Sequence, residues 1–237
     1  MVAARKPRVA LVEFTFASPV FAGRSSPELL GDLERHLQRS ARITSRSIDA
    51  GRSAQLVSEE LRRILEEHDL LLVFAQGHEP GHSLAYPLYH LPGSVARFDN
   101  HTDAQQTDYR FPVRNSYVFH AVANGLKKPE EIEHYGVKSK TPVVGILKGM
   151  REPTRARIFD IDADFFHESY GILHPDAKSD GHPEDIIEKL HSAVPQVVGF
   201  FELNPHNQFE PGAVDVLKRI FFEAVEAVKK RRRPKGQ

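Results

Sequence analysis

Short apolar runs alternate with amphipathic stretches from one end of the chain to the other, the pattern of a mostly parallel sheet covered by helices. Runs of strand length predict strands at VALVEF (9–14), LLLVFA (70–75), SVARF (94–98), PVVGIL (142–147), RIFDID (157–162) and VVGFFEL (197–203). Between them, residues 53–67 place Val57, Leu61, Ile64 and Leu65 on one helical face, and Pro183 opens a segment in which Ile186, Ile187 and Leu190 do the same. Val214, Leu217, Ile220 and Phe221 mark a last helix after Pro211. The expected fold class is α/β with a mostly parallel sheet, and no internal repeat is visible.

Composition narrows the picture. With 40% hydrophobic and 27% charged residues the chain is globular, and its 237 residues suit one domain over 1–228. The formal net charge of zero hides an asymmetry: Lys229, Lys230, Arg231, Arg232, Arg233 and Lys235 concentrate positive charge in a basic tail, 229–237, expected to be disordered. A solvated helix end running into a frayed terminus explains that tail better than contact with RNA or a membrane, so neither is an expected partner. The early run VALVEFTF is interrupted by Glu13 and is too short for a signal peptide or a membrane span, which makes the expected location cytoplasmic. Cysteine is absent, so any metal must be held by histidine and carboxylate.

The candidate chemistry lies where polar residues interrupt strand ends, because ligands of open α/β sheets bind at the carboxyl ends of the strands. After SVARF comes Asp99-Asn100-His101-Thr102-Asp103, and in an extended chain Asp99, His101 and Asp103 share a face. This triplet reads equally as a metal site and as a solvated strand end. The second cluster, Asp160-Ile161-Asp162-Ala163-Asp164, is flanked by Phe159 and Phe165. Carboxylates crowded at a buried strand end raise one another's pKa, and a cation between them resolves the repulsion. A glycine-rich loop after LLLVFA, Gly77-His78-Glu79-Pro80-Gly81-His82-Ser83, opens the expected helix SLAYPLYHL and is a weak signal by itself.

Together the clusters resemble the ureohydrolase family of arginase, agmatinase and formimidoylglutamase. The family's Gly-Gly-Asp-His-Ser, Asp-Ala-His-x-Asp and Ser-x-Asp-x-Asp-x-x-Asp-Pro motifs are matched, in order, by Pro80-Gly81-His82-Ser83, Asp99-Asn100-His101-Thr102-Asp103 and Phe159-Asp160-Ile161-Asp162. Phe201-Glu202-Leu203-Asn204-Pro205 is similar to its Glu-Val-Asn-Pro segment. The first loop departs by lacking Gly-Asp before its histidine, and Asp164-Phe165 departs from the closing x-Asp-Pro. The resemblance implies a three-layer αβα sandwich of the arginase and deacetylase type. It further implies two Mn2+ per chain, one on His82, Asp99, Asp103 and Asp160, the other on His101, Asp99, Asp160 and Asp162, with Asp99 and Asp160 bridging. The expected assembly is a homo-oligomer.

The implied reaction is cleavage of a C–N bond of a small cationic guanidino or amidine compound by a metal-bridging hydroxide, with the ions roughly 3.5 to 4 Å apart. In that scheme Asp103 hydrogen-bonds the nucleophile and Glu202 holds the guanidinium. His120, in RNSYVFHAV, is either the proton shuttle or a histidine packed against the core. Two rivals stand beside this reading: a single-zinc deacetylase of the same fold, whose Asp-x-His-His-Gly stretch is absent because Thr102 and Asp103 fill the last two positions, and a non-catalytic metal-binding or regulatory protein.

Overall fold

The computed structural model describes residues 5–15, 27–76, 84–99, 101, 116–136, 156–166, 181–202 and 211–232. The runs with the strongest apolar signal form the centre of a seven-stranded, all-parallel sheet. Strand β1 (Arg8–Thr15) lies between β2 (Arg42–Asp49) and β3 (Leu70–Gln76), and β3 pairs with β7 (Val197–Glu202). Beyond β7 come β6 (Ile158–Asp162), β4 (Val95–Phe98) and the edge strand β5 (Ile132–Tyr135), giving the order β2-β1-β3-β7-β6-β4-β5. Strands covered on both faces must be apolar on both, which is why β3 reads as an unbroken run: Leu70, Leu72 and Phe74 enter one core layer while Leu71, Val73 and Ala75 enter the other.

Helices cover both faces. Helix α1 (Pro27–Leu37), α5 (Pro183–Ala193) and α6 (Pro211–Arg231) bury Leu33, Leu37, Ile186, Leu190, Leu217 and Phe221 in the first layer. Helix α2 (Ala54–Glu67), α3 (Tyr86–Tyr89) and α4 (Tyr117–Ala123) bury Val57, Leu61, Leu88, Tyr89, Tyr117 and Ala121 in the second. The result is the expected αβα sandwich. Ser53 caps α2 by accepting from the Leu56 amide, and Pro183 sets the first turn of α5. Helix α6 carries Lys229, Lys230 and Arg231 as its last turn, so the basic cluster begins as helix rather than tail, and residues 233–237 lie outside the described residues. Among the described residues no helix is long and apolar enough to cross a membrane.

Edge elements differ most from the expectation. RITSRSID offers no apolar run and IEHY is four residues long, yet both are strands, because an edge strand has less surface to bury than a central one. The expected strand at 142–147 lies outside the described residues, and among the described residues of SLAYPLYHL only Tyr86–Tyr89 are α-helical.

Strand order positions the site. From β4 the chain leaves through α4 to the edge strand β5, and it returns on the other side of β4 as β6, from which α5 leads away to β7. Helices α4 and α5 therefore cover opposite faces, and the strand order puts the ligand-binding crevice expected of an open α/β sheet at the carboxyl ends of β4 and β6. Gly199 in β7 keeps α3 close to the sheet beside this crevice: a Cβ there would lie 2.6 Å from Leu88 and 2.6 Å from the Phe201 ring. Gly199→Ala is expected to overpack this layer and cost about 1 to 3 kcal/mol, read as a lower urea midpoint. An unchanged midpoint would show that α3 yields freely.

Candidate metal centre

Alternation along β4 and β6 sends Arg97, Asp99 and Asp160 to the face covered by α3 and α4, since Val95 and Ile158 enter that layer while Phe98 and Ile161 enter the opposite one. Arg97 and Asp160 are neighbours in register, and His134 of β5 is the register neighbour of Arg97 on its other side. A row of charged and polar side chains thus crosses a sheet face that is otherwise apolar. Arg97 and Asp99 are each 1% exposed, and Asp160 and Asp164 2%. Groups this deep hold charge only when paired and hydrogen-bonded.

The pairing is extensive. Arg97 contacts the Asp99 carboxylate through one terminal nitrogen and donates through the other to the His101 carbonyl at 2.9 Å. Its Nε donates to the Tyr117 hydroxyl at 2.9 Å and lies 3.6 Å from the Asp160 carboxylate. Tyr117 and Tyr89 in turn donate to that carboxylate at 3.1 and 2.8 Å. The tyrosines sit edge to face, 5.5 Å apart, so α3 and α4 close over the row with hydroxyl groups pointing inward.

A second group forms beyond the strand ends. One ligand atom each from Asp99, His101 and Asp164 lies within 4.8 Å of the others. The His101 Nδ1 is 2.8 Å from the Asp164 carboxylate and 3.5 Å from that of Asp99, which also accepts from the His101 amide at 2.5 Å. Asp164 reaches this position because the chain leaves β6 in a 3-10 turn, Ala163–Phe165, rather than continuing extended. Asp162 caps the turn by accepting from the Asp164 amide at 3.1 Å, a local bond that aspartate makes readily. On the other side the chain turns at Gly136, whose positive φ of 156° brings it so near the Asp99 carbonyl that a Cβ would collide with it.

The expected site residues distribute as follows. The structure brings Asp99 and His101 together, with Asp164 as their third member. Asp160 joins Asp99 through Arg97 and spends its carboxylate on two tyrosines. Asp162 is half-buried and caps the following turn. His120 is buried in α4 one turn after Tyr117, and burial lowers its pKa. Glu202 ends β7, next to the strand that carries the aspartates. His82 and Asp103 lie outside the described residues. Sequence reasoning missed Arg97, Tyr89, Tyr117 and His134; a lone arginine inside an apolar strand two residues before an aspartate was the available signal for the first.

Donors of this kind, imidazole and carboxylate with no sulfur, suit a divalent ion such as manganese or zinc. His134 adds to the fit. Both its ring nitrogens are buried without a hydrogen-bond partner among the described residues. Burial first, then the Arg97 charge, lowers its pKa to about 3, with Asp164 opposing and His101 assisting. It is a neutral imidazole beside the Asp164–His101 group.

Several solved structures share this architecture. A proclavaminate amidino hydrolase from Streptomyces clavuligerus is similar with a TM-score of 0.68 at 12% identity, over 95% of this chain and 93% of that one. An arginase from Bacillus subtilis gives a TM-score of 0.68 at 12% identity, over 92% of this chain and 98% of that one. A formiminoglutamase from Trypanosoma cruzi, described with Mn2+, gives 0.60 at 14% identity, over 95% of this chain and 96% of that one. No family model matches the sequence, and no curated protein matches it.

The buried imidazole has a consequence for stability. Because the folded pKa of His134 lies below the unfolded value of about 6.5, the unfolded chain binds the proton first as pH falls. Stability is then lost from pH 6.5 downward toward pH 3, by up to about 1.4 kcal/mol per pH unit for this proton. In metal-free protein, urea midpoints should fall less steeply with acidification in His134→Phe than in the unsubstituted chain. Parallel slopes would assign the loss to other groups. The chain thus has the fold of the arginases and amidino hydrolases, reached by a sequence far from theirs, and a buried polar row lies beneath its crevice.

Proposed function

We propose that this chain is a manganese-dependent hydrolase of the ureohydrolase type, cleaving a C–N bond of a small guanidino or amidine compound. The observation that carries this reading is the convergence of Asp99, His101 and Asp164 at the β4–β6 crevice of an arginase-type fold. A divalent ion held by such donors supplies Lewis-acid polarisation and a nucleophile from water near neutral pH. The manganese named for the similar formiminoglutamase supports that choice of ion.

The remaining roles belong to this chain's own residues. Negative charge from Asp99, Asp160, Asp162 and Asp164 outweighs the single charge of Arg97, so the crevice attracts a cation and repels phosphate esters. Glu202, at the same carboxyl edge of the sheet, holds the guanidinium through charge-assisted hydrogen bonds, and Asp103 orients the attacking water. Water adds to the central carbon, the C–N bond breaks, and the departing nitrogen takes a proton to leave as an amine. His120 takes a proton from the adding water and passes it to the departing nitrogen; burial lowers its pKa, which favours the form that can first accept it. A guanidino substrate yields urea, an amidine the corresponding amide.

Urea release from agmatine, arginine and guanidinobutyrate, measured with manganese and after its removal by a chelator, tests the reading. Manganese-dependent turnover of at least one compound is expected. Deacetylation of an acetylated amine with zinc, or a manganese-loaded protein inert toward every guanidino and amidine compound, would favour the rival readings instead. Glu202→Gln is expected to keep its metal and melting temperature while the specificity constant falls roughly ten- to a hundredfold, the loss of a hydrogen bond to a charged group. Lost metal or intact turnover in that variant would remove Glu202 from the substrate site.

A further inference from the structure

The resemblance to ureohydrolases places two ions across Asp99 and Asp160, each carboxylate serving both. In the structure one fixed cation already lies on both carboxylates. The Arg97 guanidinium contacts Asp99 and stands 3.6 Å from Asp160, with its Nε bonded to Tyr117 and a terminal nitrogen bonded to the His101 carbonyl. We infer that Arg97 takes the place of the second metal ion, and that the centre holds a single divalent cation on Asp99, His101 and Asp164. This rests on the metal-dependent reading above only in requiring that a divalent ion bind here.

Three observations carry the inference. First, the Asp160 carboxylate accepts from Tyr89 and Tyr117, so a bridging role would have to strip both hydroxyl bonds and push the guanidinium away inside a region 1% to 2% exposed. A buried guanidinium without its carboxylates is strongly disfavoured. Second, among the buried described groups Asp99, Asp160 and Asp164 carry three negative charges and Arg97 one positive, a net charge that one divalent cation neutralises. Third, the donors outside Arg97's reach converge: Asp164 has moved onto His101 by way of the 3-10 turn, and the His134 ring nitrogens lie buried beside it with no hydrogen-bond partner among the described residues. His134 is a buried nitrogen donor next to that group, outside the three residues whose ligand atoms converge.

Arg97 is then a positioning residue. It fixes Asp99 so that one oxygen faces the guanidinium and the other faces His101, and it holds Asp160 away from the ion. The two arrangements differ in which aspartate the metal needs, Asp164 for one ion or Asp160 for two.

Metal content after dialysis against manganese, manganese titration calorimetry, and electron paramagnetic resonance of the full chain test this without reference to turnover. The unsubstituted protein is expected to bind one manganese with the hyperfine pattern of an isolated ion. Asp164→Asn should weaken binding by roughly 100-fold or more, since even partners of metal ligands cost 10- to 100-fold. Asp160→Asn, whose amide oxygen still accepts from Tyr89 and Tyr117, should keep its ion. Two ions with the spectrum of an exchange-coupled pair, or a larger loss in Asp160→Asn than in Asp164→Asn, would overturn the role of Arg97 and leave the metal-dependent function standing. Failure of the unsubstituted protein to bind any manganese or zinc would overturn both. The spectrum of the unsubstituted chain decides the count even where a variant does not fold.

Discussion

Desolvation of one guanidinium is the constraint around which this molecule is arranged. A charge placed in the middle of a parallel sheet has lost its water on both sides, and only a full set of partners repays that loss. Arg97 has such a set: a carboxylate just past the end of its own strand, a carboxylate on the neighbouring strand, a tyrosine hydroxyl from the covering helix and a carbonyl from the loop beyond. These partners come from β4, β6, α4 and the segment after β4, so the elements cannot shift relative to one another without exposing an unsatisfied group. Lys127 adds a second tether, donating to the Leu91 and Gly93 carbonyls at 2.5 and 2.6 Å and so pinning the turn that enters β4. The polar network thereby fixes Asp99 and the segment that carries His101 beneath the carboxyl ends of the strands.

The sequence disclosed the central strands and the clusters at their ends, because buried parallel strands must be apolar on both faces and polar interruptions there stand out. LLLVFA and VVGFFE could hardly be anything else. RITSRSID and IEHY were illegible for the opposite reason: as edge strands they bury too little to leave an apolar signature. The aspartates at 160, 162 and 164 were visible as a set, but the turn that carries the last of them was not. The chain turns after Asp162, and an aspartate capping its own next turn is a local event that periodicity does not register. Asp164 consequently meets His101 across the crevice. Arg97 and His134 acquire their meaning only from strand order, since their neighbours in space come from other strands.

The distance between this sequence and the similar structures is intelligible on the same terms. A two-layer apolar core over seven parallel strands can be built from many sequences provided volume and patterning are kept. At 12% identity the architecture survives, and the crevice stays where the strand order puts it. Beneath the crevice that apolar framework carries a small set of polar side chains, here an arginine and two tyrosines, bonded to one another and to the aspartates.

The last turn of α6 lies at the far side of the molecule from that crevice. Arg232 meets Asp69, the residue before β3 begins, which places the end of the helix at the amino edge of the sheet, while the aspartates crowd the carboxyl edge. Among the described residues, the basic last turn of α6 and the buried aspartates thus stand at opposite rims of the sheet. A cation diffusing nearby is drawn toward the carboxyl rim, and the protein itself, set down on an anionic surface, would turn its basic rim to that surface and leave the crevice facing the solution.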